Sequence, residues 1–207
     1  GTLRSRLLLA LGTLGADPEI QAEAASRHAA YLKDRSVLAA DLVTAVVNVV
    51  AYAGGEAEYE TMHEQLRRAA TPQDEIRYLY ALGATEAPSL LVRTLEMCLT
   101  QEVRTQDAPY LLATILGSRA GHRPAWDFLT GRWEDLVARF PRNSIPRMLE
   151  AVSAIADPDL APAIHRFLDD HPVPQGERQL AQARERLDIN VAFGQRVGSS
   201  LVGELSS

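Results

Sequence analysis

ALGTLGADPEI at Ala10–Ile20, YALGATEAPSL at Tyr80–Leu90 and AVSAIADPDL at Ala151–Leu160 read as one joint used three times. Each closes an apolar run, turns and restarts on a proline, and Pro18, Pro88 and Pro158 stand 70 residues apart. Proline lacks an N–H and has its φ preset near the helical value, so it suits the first position of a new helix. Asp17, Thr71 and Asp157 each precede a proline and are placed to cap the helix that follows. Gly54-Gly55 and Gly121 fall roughly midway between the joints. The half-period is then about 35 residues, the size of one helical hairpin in a repeat array.

The segments between the joints have helical spacing. Leu42, Ala45, Val46, Val49, Val50 and Ala53 lie at offsets 0, 3, 4, 7, 8 and 11, and Val43 and Val47 add a second apolar flank. This run predicts a helix packed on two sides; it is too long for an ordinary strand despite its β-branched residues. Trp126, Leu129, Trp133, Leu136, Val137 and Phe140 repeat the pattern and predict a second helix, and Leu180, Ala183, Leu187 and Val191 a third. No segment predicts a strand. The expected fold is all-α, with antiparallel helix pairs stacked in a curved, HEAT- or armadillo-like solenoid. Residues 1–193 are expected to form one helical-repeat domain, and 194–207, with its three glycines, a weakly structured tail.

At 207 residues and 46% hydrophobic content the chain can bury a core without disulfides or metals. Its net charge of -6 gives no general attraction for phosphate backbones or anionic lipid, so neither nucleic acid nor membrane is an expected partner. No apolar run approaches spanning length, and no secretory signal opens the chain. Cys98 is the single cysteine, which excludes internal disulfides and points to the cytoplasm. A start at Gly1-Thr2 in place of methionine suggests a processed product or a fragment of a longer chain.

TMHEQLRR at Thr61–Arg68 stops one residue short of HExxH, in which two histidines one turn apart bind zinc and the glutamate acts as base. His63 and Glu64 fit, but Arg67 holds the second ligand position. A permanently protonated guanidinium has no lone pair to give and repels a cation. His28, His122, His165 and His171 have no partner at ligand spacing and read as surface or helix-end residues. Cys98, beside Leu91 and Leu95, reads as a buried, inert thiol. There is no GxSxG elbow, GxxxxGKS/T loop or GxGxxG turn. On these residues the chain carries no catalytic or metal site and needs no cofactor of its own.

One polar cluster asks for more. In EVRTQDAPYLL at Glu102–Leu112, Thr105 or Asp107 accounts for a helix cap ahead of Pro109. Arg104 and Gln106 are not needed for that purpose. Arg104 and Gln106 are therefore the better candidates for facing a groove.

Three segments carry a family resemblance: VRTQDAPY at Val103–Tyr110, GHRPAWDFLTGRWEDLVARF at Gly121–Phe140, and DDHPVPQGERQLAQARERLDINVAF at Asp169–Phe193. In order and spacing they resemble the C-terminal helical domain of the zinc aminopeptidase N and puromycin-sensitive aminopeptidase family. Gln106-Asp107 match the pair that opens a helix there. Trp126, Phe128, Trp133, Glu134 and Leu136 match the second segment, and His171, Pro172, Pro174, Glu177 and Arg178 the third. The sequence departs at Phe193, where tryptophan is usual. The resemblance implies a fragment whose helices cover the catalytic domain of the same parent chain and bound a chamber for peptide substrates, with Arg104, Gln106 and Asp107 as the candidate substrate-binding residues. Zinc, its HExxH ligands and the GxMEN loop would lie earlier in that parent. The alternative is a free-standing helical-repeat adaptor that binds a protein partner.

Overall fold

A computed structural model describes the backbone of residues 2–205 and the side chains of 3–197. It is all-α, with no strand among the described residues, as the periodicity predicts. The chain divides into two compact units, the first closing at Thr94 and the second opening at Leu95.

The first unit holds α1 (Thr2–Gly12), α2 (Pro18–Lys33), a 3₁₀ turn at Arg35–Val37, α3 (Ala40–Ala53), α4 (Glu56–Arg67) and α5 (Pro72–Leu82). The helix α6 (Pro88–Met97) crosses the boundary. The centre is α3, packed by α1, α2, α4 and α5. Val46, Val47 and Val49 are fully buried, which is the two-sided packing the double apolar flank predicts; only the terminal Ala53 of the expected stripe is exposed. Gly12 lets α1 approach: a Cβ there would stand 2.7 Å from both methyls of Val49.

The joints follow the predicted chemistry in part. The Asp17 carboxylate accepts from the N–H groups of Glu19 and Ile20, at 2.9 and 3.1 Å, with Pro18 first in α2. Thr71 caps α5 through the N–H of Asp74, and Pro88 opens α6. The left-handed residue that ends α1 is Ala16, at φ 46°, with the Asp17 N–H returning to the Leu11 carbonyl at 3.0 Å. Asp157 departs from expectation: it accepts from Asp159 N–H, but its turn precedes a helix that starts only at Ala161.

The second unit holds α7 (Ala108–Leu116), α8 (His122–Gly131), α9 (Trp133–Arg139), α10 (Ile145–Leu149) with a 3₁₀ turn at Glu150–Ala154, α11 (Ala161–Asp170), a second such turn at Pro174–Gly176, and α12 (Glu177–Leu205). Helix α7 packs on α8 and α10, and α12 on α10, α11 and the 150–154 turn. The single helix predicted over Trp126–Phe140 is two, because Arg132 leaves the helical region at φ -123°, ψ 21°. Gly131 ends α8, and the Thr130 hydroxyl competes for the carbonyls of Trp126 and Asp127. Val137, placed on the apolar stripe, is exposed. Helix α12 continues past Phe193, so the segment expected to be a weak tail begins inside a helix.

Candidate functional site

The predicted residues sit on the loop between α6 and α7. Cys98 opens it, fully buried, its thiol pushed up to about 12 by burial and directed at the Ala108 carbonyl 3.7 Å away. That thiol is inert at neutral pH, as the sequence suggests. From α9, the Arg139 guanidinium collects the loop: Nε donates to the Cys98 carbonyl at 3.0 Å, and Nη2 to those of Thr100 and Val103. Three carbonyls that would otherwise need water are thereby tied to one cation.

Beyond this clamp Arg104 and Gln106 are exposed and Asp107 is half-buried. Asp107 occupies the cap position of α7, but in helical geometry (φ -96°, ψ -29°) and without a side-chain cap bond. The capping role expected of Asp107 is therefore not its own: the Arg104 carbonyl receives the N–H groups of Asp107 and Ala108, at 2.9 and 3.0 Å. Thr105, between them, lines a shallow depression of about 550 Å³ with Arg132, Asp135 and Arg139. The loop thus presents a polar edge on a fixed backbone.

TMHEQLRR lies on α4. His63 is buried beside the Tyr59 ring, Glu64 pairs with Arg68 at 2.8 Å, and Arg67 is exposed. His28 corrects the surface reading: it is 4% exposed, its Nε2 without a partner, and burial together with the nearby Arg35 charge lowers its pKa to about 4. An imidazole in a helix interior reads like a surface one when its only neighbours come from other elements. His122 starts α8 and His171 ends α11, as predicted for helix-end residues. Among the described residues no three His, Cys, Asp or Glu side chains are placed to hold a metal ion. No described helix is long and apolar enough to cross a membrane.

Two constellations in the second unit escaped sequence reasoning. Phe167 takes Trp126 and Trp133 edge-on, with ring centres 5.3 and 5.1 Å away, and stacks on His171 at 4.1 Å. The other is polar: His165 lies 2.7 Å from Asp188, while Arg184 donates from Nε to His165 Nδ1 at 3.1 Å and from Nη1 to Asp169 at 2.7 Å. The available signal was Arg184 and Asp188 one turn apart on a helix that could face α11.

The class this architecture defines is an all-α helical-repeat domain with a clamped polar loop. The chain belongs to the ERAP1-like C-terminal domain family, whose model matches residues 1–189. It is 30% identical to aminopeptidase M1-B of Oryza sativa subsp. japonica over 95% of this chain and 23% of the relative. It is also 30% identical to aminopeptidase M1 of Arabidopsis thaliana, over 99% of this chain and 24% of the relative. A shorter likeness, 31% identity over 51% of this chain and 11% of the relative, is to glutamyl aminopeptidase of Mus musculus. The chain therefore spans about a quarter of the length of the plant relatives. The family read from the three sequence segments is shown.

Proposed function

We propose that this domain caps the catalytic domain of a zinc aminopeptidase and helps form the chamber through which peptides reach it. The observation that carries the reading is the family match over residues 1–189, in a chain that spans less than a quarter of aminopeptidase relatives. On this reading the catalytic domain of the same parent chain is the partner, and the metal is held there. The residues of this chain do not fit zinc, because a buried His63 is followed one turn on by the exposed guanidinium of Arg67. Arg104, Gln106 and Asp107 are assigned to peptide contacts. The Arg139 clamp supports this role, since a loop whose backbone is already ordered loses little entropy on binding.

The 207-residue chain with added zinc is expected to leave an aminoacyl-amide reporter intact, and a longer chain carrying the upstream segments to hydrolyse it. Hydrolysis by the short chain would overturn the capping role. In the longer enzyme, Arg104→Ala is expected to raise KM for extended peptides by about tenfold while leaving the single-residue reporter unchanged, as loss of a charged contact of roughly 1.4 kcal/mol requires. Equal effects on both substrates would remove Arg104 from the chamber.

A further inference from the structure

A cleft of about 750 Å³ runs between α11 and α12. Its mouth is fixed by the turn that joins them. Gly176 seats against Pro146, where a Cβ would stand 2.3 Å from that ring, and Gln175 donates to the Arg142 carbonyl at 3.1 Å. The floor is apolar, made of the edges of Leu168, Val173 and Leu180 between the exposed rings of Pro172 and Pro174. The opposite wall is one face of α12: Glu177, Ala181, Arg184, Glu185 and Asp188, at offsets 0, 4, 7, 8 and 11.

The rim has a definite charge. Arg184 is matched by Asp169, whose carboxyl is held below its usual range by that hydrogen bond. The same guanidinium donates from Nε to His165 Nδ1, so that nitrogen carries no proton, and Nε2 carries the one donated to Asp188. Glu177, Glu185 and Asp188 outnumber the one arginine that lines the cleft, Arg184, which is itself paired with Asp169. Arg178 and Arg186 do not line it. An apolar slot with an anionic rim rejects phosphates and acidic peptides and complements a cation beside an apolar group.

We propose that the α11–α12 cleft binds a peptide segment in which lysine or arginine adjoins an apolar side chain. The apolar group fills the slot between Pro172 and Pro174, and the cation meets Glu185 and Asp188. Contacts with exposed carboxylates make the binding weak and sensitive to salt. The inference concerns this chain alone and stands whether or not the domain caps a catalytic partner.

The test uses the 207-residue protein and two acetylated, amidated tetrapeptides, Leu-Lys-Leu-Arg and Leu-Glu-Leu-Glu, titrated against ¹⁵N-labelled amide spectra. The basic probe is expected to shift amides of α11, the turn and the first three turns of α12, and to bind at least about tenfold more tightly than the acidic one. The exposed Ala181→Trp substitution should fill the cleft and abolish the shifts, and the double variant Glu185→Lys/Asp188→Lys should weaken binding by about tenfold, with unchanged helix content in both. Equal binding of the acidic probe, binding that survives Ala181→Trp, shifts centred elsewhere, or no binding of either probe at about 5 mM would each overturn the proposal.

Discussion

Acid should destabilise the first unit through a single histidine. His28 sits mid-way along α2, 4% exposed, its ring 6.4 Å from that of Tyr78 and its Nε2 without a hydrogen-bond partner. Arg35 is held nearby, donating to the Tyr78 hydroxyl at 3.1 Å and lying 4.5 Å over the Tyr31 ring. Burial first, and that positive charge second, lower the His28 pKa from 6.5 to about 4. The folded value lies below the unfolded one, so as pH falls the unfolded chain takes up the proton first. The stabilisation is intact above about pH 6.5, is lost as pH falls from there to about 4, and changes no further below. The full shift corresponds to about 3 kcal/mol, of which about 2 should be gone by pH 5. A urea midpoint would fall by about 1 M for that loss, taking a slope near 2 kcal/mol per molar. Because both tryptophans lie in the second unit, the suitable assay is hydrogen exchange of α2 and α3 amides by mass spectrometry, corrected for intrinsic rates. The wild type should lose protection between pH 6.5 and 4.5, and His28→Leu, similar in volume and uncharged, should lose much less. Parallel losses in the two proteins would refute the assignment.

Removing the clamp on the candidate loop by Arg139→Ala should cost about 2–3 kcal/mol, because three loop carbonyls lose a charged donor; Arg139→Lys should restore less than half, since an ammonium cannot reproduce the fork. Urea unfolding followed by tryptophan fluorescence reads both, and an unchanged midpoint in Arg139→Ala would show that the loop does not depend on the clamp. Two glycines should respond in opposite directions. Gly121→Ala places a Cβ 2.0 Å from the Ile115 carbonyl oxygen and should destabilise by about 2 kcal/mol or more, whereas Gly131→Ala meets nothing within 4 Å and should stabilise α8 by roughly 0.5–1 kcal/mol. Thermal melts that move the same way would contradict the packing described.

Much of the fold was legible because its signals are local. A cap, a proline and an apolar spacing each act within one or two turns, and α2, α3 and α5 begin within a residue or two of where those signals place them. The errors share one origin. Trp126 and Trp133 lie seven residues apart, close to two full helical turns, so their spacing reads as one helix although Arg132 breaks it. Asp157 has the chemistry of a cap and uses it on a turn, since an aspartate accepts the same N–H in either setting. His28 was misplaced because its burial is decided by Tyr78, fifty residues away in the chain.

The candidate site divides in the same manner. Arg104 and Gln106 could be found as polar residues that no cap requires, but Arg139, which fixes their backbone, lies on another helix and carries no motif. The segments behind the family likeness differ in what they do. Trp126 and Trp133 from the second and His171 from the third meet on Phe167, so much of those two segments is occupied in packing the second unit. Their likeness therefore speaks for the fold. VRTQD is different: its Val103 is buried, while Arg104, Thr105 and Gln106 reach solvent from a clamped backbone. An exposed charged group on an ordered loop adds little to stability, since ion pairs at the surface contribute at most about 1 kcal/mol. The peptide-binding proposal therefore rests on the exposure of this loop and its clamped backbone more than on either aromatic segment.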